Sequence, residues 1–274
     1  MRRHLILATL VISLALAACS SDGGGADEPT DVRPPDDPDA IVLQLDGAVN
    51  QPDPLAIAEG RPLFTLYGDG RVIAVDESVE REDRGALLPM AQGRLSAEGV
   101  QLLLDEAVAR GVLDPLDEYG STDVADADSV RFVAATDRRF VEFGVSGLGT
   151  EDGLDAEQVE ARRQLLELGE LLLDWQRVAA AHIVDEPVAY TGDSVLVIAD
   201  ERRLAPEADE LFGIRTAGEQ VRTRAGAVWC RELTGADLDA LLPTIVDPAA
   251  DLPHVLVVRQ VFPGEPGCAV VEQL

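Results

Sequence analysis

Apolar and polar residues alternate in several short runs of this chain, and two longer stretches repeat their apolar positions every three or four residues. Residues 41–45 are an apolar run suited to a strand. Residues 63–67 and 71–75 are rich in β-formers and flank Gly68-Asp69-Gly70, which predicts a hairpin whose central turn residues take positive φ. Residues 129–135 and 139–145 predict a second hairpin around Thr136-Asp137-Arg138. Between the hairpins, Ser96 is placed to cap a helix, with Leu95 and Val100 as a hydrophobic staple. Val100, Leu103, Leu104, Ala107 and Val108 fall on one face of it, and Gly111 ends it. A longer helix follows, opened by Asp155 with Gln158 three residues on and stapled by Leu154 and Val159. Its apolar seam is Ala161, Leu165, Leu168, Leu172, Trp175 and Ala179, while Leu166, Leu171 and Leu173 add a second apolar face suited to another domain.

The pattern restarts near residue 187. Residues 194–199 and 227–231 predict strands, Thr234 and Asp237 a capping box for a helix to about residue 242, and residues 254–262 a last strand. The expected fold class is α+β: antiparallel hairpins packed on helices, in two small units at 40–182 and 187–274. Hairpins joined in series argue against a doubly wound parallel sheet.

The first 39 residues follow a different pattern. Arg2 and Arg3 precede an apolar run of about 14 residues, short of the roughly 20 that span a bilayer, which fits a signal peptide at 1–18. The run ends in Leu16-Ala17-Ala18-Cys19, the pattern of a lipobox, so Cys19 is the expected lipidation site and the membrane, through that lipid, the expected partner. Residues 19–39, rich in Gly, Pro and Asp, read as a disordered tether reaching on the order of 25 Å as a coil. These features together predict a lipid-anchored protein on the extracytoplasmic face of the cell membrane.

Composition narrows the chemistry. The net charge is −29, and loss of residues 1–18 would remove two arginines and no acid. So acidic a chain repels phosphates, which excludes nucleic acid as a partner. The chain has no lysine, which removes Schiff-base, phosphate-loop and Ser-Lys chemistry. With Cys19 consumed by lipid, Cys230 and Cys268 remain as a pair, expected as a disulfide that stabilises by about 4 kcal/mol. Gly144-Val145-Ser146-Gly147-Leu148-Gly149 lacks the glycine at 148 that a nucleophile elbow needs. His182 and His254 sit where structural roles are commoner than catalytic ones. Asp123, Asp126 and Asp128 are candidates for a hard cation, against a plain solvated acidic loop, and their spacing is not that of an EF-hand. No cofactor is expected.

The layout resembles a group of uncharacterised lipoproteins from high-GC Gram-positive bacteria. The resemblance is carried by the lipobox, Leu66-Tyr67-Gly68-Asp69-Gly70-Arg71, the Leu95-Ser96 helix opening, and Gly153-Leu154 with Gln158 and Arg162. The late Val258-Arg259, Pro263-Gly264-Glu265 and Cys268 complete it. It implies a location and a layout, and no catalytic residue. The reading that follows is a non-catalytic envelope component that binds another protein or a small ligand. An extracellular hydrolase with a carboxylate-based site is the competing expectation.

Overall fold

The computed structural model describes residues 32–48, 61–76, 78–79, 87–120, 127–204, 206–223, 226–247, 256–269 and 271. The signal peptide, Cys19, Asp123, Asp126 and His254 lie outside them. The described strands form two antiparallel sheets, as the serial hairpins require, and the fold is α+β.

The first sheet contains β1 (Ile41–Ala48), β2 (Arg61–Tyr67), β3 (Arg71–Val75), β4 (Met90–Leu95), β5 (Ser129–Ala135), β6 (Phe140–Ser146) and β7 (Ile183–Tyr190). Their order is β6-β5-β1-β2-β3-β4-β7. Two helices, α1 (Ala97–Ala109) and α2 (Ala156–Leu173), pack on one face of it. Leu43, Leu45, Phe64, Leu66, Phe132 and Ala134 of the strands meet Leu103, Leu104, Leu165, Leu168 and Leu172 of the helices in one core. A one-turn helix α3 (Trp175–Val178) continues the seam, with Trp175 and Ala179 buried.

Local signals account for the helix ends. The Ser96 hydroxyl accepts from the Gly99 amide at 3.3 Å, and Asp155 and Gln158 form both halves of a capping box. Helix α1 closes with Gly111 at φ 78°, Gly111 N–H donating to Val108 O and Val112 N–H to Ala107 O, which is a Schellman motif. The β2–β3 turn differs from the expectation. Of its glycines only Gly70 has positive φ, at 83°, and the Gly70 amide donates to Tyr67 O. This is the geometry of a three-residue loop ending in a left-handed residue, so one positive φ suffices.

The second sheet has the order β11-β8-β10-β9, from β8 (Ser194–Asp200), β9 (Glu219–Thr223), β10 (Gly226–Thr234) and β11 (Leu256–Gln260). Every residue of β8 is buried, because alternate side chains feed two clusters. Val195, Val197 and Ala199 face α4 (Pro206–Phe212), α5 (Ile214–Ala217) and α6 (Gly235–Val246). Leu196 and Ile198 face Cys230 and Cys268, which form a disulfide with Cα atoms 5.8 Å apart. The Thr234 side chain makes no capping hydrogen bond, so the expected capping box is not formed, and α6 runs past residue 242 to Val246 with Pro243 inside it.

Two boundaries and the faces of α2 depart from the sequence pattern. Residues 32–39 belong to the folded body instead of the tether. Gln101 Nε2 donates to Val32 O at 2.8 Å, Asp137 N–H to Arg33 O at 2.9 Å, and Asp69 N–H to Pro38 O at 3.0 Å. Burial of Arg162 at 1% exposure turns α2 so that Ala161 is only half-buried. Leu171 and Leu173 join the same core as the seam, while Leu166 faces solvent at 40% exposure, so no second domain packs there among the described residues. Strand β7, which spans the expected division between residues 182 and 187, completes the first sheet, and residues 32–274 form one compact unit.

Candidate functional site at the sheet junction

The two sheets meet where the 66–71 and 263–265 motifs converge. On the face of the first sheet away from the helices, Tyr67, Ile73 and Met90 pack against Phe262, which follows β11. The Tyr67 hydroxyl donates to Pro263 O at 3.3 Å and the Tyr190 hydroxyl to Val261 O at 3.4 Å. Gln260 Nε2 donates to Tyr190 O at 3.4 Å. Glu265 holds the turn by accepting from the Phe262 amide and pairing with Arg259, which is 2% exposed. Removing Glu265 would leave the buried Arg259 charge without its carboxylate, at a cost on the order of 3–5 kcal/mol.

Arg71 sits at the mouth of this junction. Its guanidinium lies 4.5 Å from the centroid of the Tyr67 ring and donates to Asp39 Oδ1 at 2.9 Å. Burial pushes the Tyr190 hydroxyl up to about 12, with Asp193 adding and Arg71 opposing. Burial raises Tyr67 further still, again against Arg71. Both phenols therefore remain neutral hydrogen-bond donors across the ordinary pH range. Arg71, Gln92, Val188, Ala189, Tyr190 and Asp193 line a cleft of about 300 Å³.

A second cleft, of about 330 Å³, opens on the helix face of the same sheet, lined among others by Asp76, Ala91, Asp174, Gln176, Val188 and Ala189. Strand β7 divides the two. Gln92 pairs with Val188 and Ala91 with Ala189, so these neighbours point to opposite faces of the sheet. Among the described residues, β7 pairs with β4 alone and its other edge is free.

The other described candidate residues do not converge. Ser146 Oγ lies 2.8 Å from Ser129 Oγ, and residues 147–155 separate it from α2, so no strand-to-helix elbow exists there. His182 is held structurally: its carbonyl accepts from the Ser96 amide at 2.8 Å, and its Cβ lies against Gly99. Asp128 is exposed, and no cluster of three or more metal-ligating side chains occurs among the described residues. The cleft residues escaped the sequence reading because Ile183–Tyr190 carries Asp185, Glu186 and Pro187, which mask any strand signal. The only sequence signal was the spacing of motifs whose meeting depends on the fold. Comparison with protein-family models, with curated proteins and with solved structures finds no match for this chain.

Proposed function

We propose that this chain is a lipid-anchored protein of the extracytoplasmic cell envelope, whose folded body binds another protein or a small ligand and performs no chemistry of its own. The observation that carries the address is Leu16-Ala17-Ala18-Cys19 at the end of a short apolar run behind two arginines. The Cys230–Cys268 pair supports it, since disulfides persist in oxidising compartments. The resemblance to lipoproteins of high-GC Gram-positive bacteria points the same way. Support for the binding role comes from the two open clefts beside a free sheet edge. Polar and apolar walls suit recognition, and neutral tyrosines with an ion-paired arginine offer donors without a reactive nucleophile.

Two experiments test the two halves separately. Cys19→Ala should abolish palmitate labelling and leave the chain unprocessed by the lipoprotein pathway. A variant that still extracts from the detergent phase as a mature, labelled lipoprotein refutes the anchor. Crosslinking on intact cells from residues around both clefts should capture a partner, and no captured species at any expression level refutes the binding role.

A further inference from the structure

Strand β7 combines three features found together nowhere else among the described elements. Its outer edge pairs with no strand, it exposes Val184 and Val188 at 58% and 64%, and a cleft opens on each side of its Val188 end. A strand added to such an edge would gain main-chain hydrogen bonds, and its alternate side chains would enter opposite faces of the sheet. The two clefts meet at Val188 and Ala189, where those alternate side chains would arrive.

The surroundings select the occupant by charge. The helix-face cleft holds the carboxylates of Asp76 and Asp174, and the strand itself carries Asp185 and Glu186. Asp193 stands in the junction cleft with Arg71, whose charge is taken up by Asp39. Arg94 and Arg177 each reach one of these acids, at 3.3 Å for Asp185 and 2.5 Å for Asp174, and both pairs are solvent-exposed and weak. The edge therefore presents a net negative rim. A second copy of this chain is the wrong partner, because its own Asp185 and Glu186 would be brought against these, and acids with proline on an edge are a guard against self-pairing.

We propose that β7 is a docking edge for an extended, basic segment of a partner protein, added as a further strand, with cationic side chains entering the Asp76–Asp174 cleft. The proposal rests on the binding role above and is independent of the lipid anchor. Pro187 lacks a backbone donor and β7 shifts register on β4 between Asp185 and Val188, so the added pairing is confined to the Val188 end of the strand.

The test uses the full-length protein in detergent and a fluorescent heptapeptide of alternating lysine and valine, with a glutamate-for-lysine peptide as control. The basic peptide should bind and weaken about fivefold or more between 50 and 200 mM salt, and the acidic one should bind at least about tenfold more weakly. The pair of substitutions Asp76→Asn and Asp174→Asn should cost about fivefold, and Val188→Pro about tenfold or more. Since Val188→Pro can disturb the strand, hydrogen exchange on the unsubstituted protein supplies the second readout. Bound peptide should slow exchange at the amides of β7 and leave β6, the opposite edge, unchanged. No binding at about 1 mM peptide, equal binding of both peptides, or protection mapping away from β7 overturns the proposal. Cell crosslinks that persist at sites other than β7 would refute this edge and leave the general binding role standing.

Discussion

Replacing Arg162 by methionine isolates the most unusual interaction in the first sheet's core. The side chain is 1% exposed, and its guanidinium donates to the carbonyls of Tyr119 at 3.0 Å, Ser146 at 2.7 Å and Gly147. All three acceptors are neutral, and burial pulls the guanidinium below its ordinary pKa. It thus ties helix α2 to the loop before β5 and to the turn after β6. Three charge-assisted bonds at about 1.5–3 kcal/mol each amount to roughly 5–9 kcal/mol. Methionine keeps the buried stem and releases the desolvation of the charge, which returns on the order of 4 kcal/mol. The expected net loss is about 3 kcal/mol, with faster hydrogen exchange in the segments around residues 119 and 147. Arg162→Lys should recover less than half of it, because one ammonium cannot span three carbonyls. Urea unfolding followed by circular dichroism measures the loss, and a stepwise transition should move only in the step belonging to the first sheet. A methionine variant within about 0.5 kcal/mol of the parent, with unchanged exchange in both segments, refutes the reasoning.

Other outcomes follow from the same geometry. Replacing Cys230 and Cys268 together by alanine should cost about 4 kcal/mol, the loop-closure entropy of 38 residues, seen as a lower melting temperature that reductant no longer affects; a double variant as stable as the oxidised parent sinks that estimate. Gly70→Ala should destabilise by about 3 kcal/mol, lowering the melting temperature by roughly 6–12 °C. Its Cβ would lie 2.3 Å from Leu95 O at a φ of +83°, and an unchanged melting temperature would contradict it. Tyr190 makes the fold sensitive to alkali. Its folded value of about 12 stands above the ordinary 10.0, so the stabilisation is complete below pH 10 and is lost as pH rises from 10 towards 12, while the unfolded chain ionises first. Tyr190→Phe should reduce the slope of the stability profile over that window, with Tyr67 supplying the rest, and an unchanged profile would argue against the buried phenol.

Much of the secondary structure was legible because its signals are local. Ser96 and Asp155 cap their helices with atoms two or three residues away, and the glycines at 70 and 111 relieve a steric conflict within a single residue. The apolar seam of α2 needs only helical geometry to place Leu165, Leu168 and Leu172 together. Strands β4 and β7 were not legible. Met90–Leu95 contains Gln92, Gly93 and Arg94, and Ile183–Tyr190 contains Asp185, Glu186 and Pro187. Each holds its strand conformation through its pairing with neighbours remote in sequence, and Gly93 is used because Trp175 leaves no room for a Cβ, 2.7 Å away. The candidate site was hidden for the same reason.

What the sequence determined by itself is whatever a few neighbouring residues decide: two hairpins, two capped helices, the cysteine pair left by the lipobox reading, and the acidic charge. Which face of α2 would bury an arginine was decided by three carbonyls from other segments. The side of the first sheet that Phe262 covers, and the meeting of Tyr67 with Pro263, were decided by packing between segments nearly 200 positions apart. Local propensity carries no information across that distance. Only the folded chain, by burying apolar surface and satisfying polar groups at once, brings Arg71, Tyr190 and the free edge of β7 into one place.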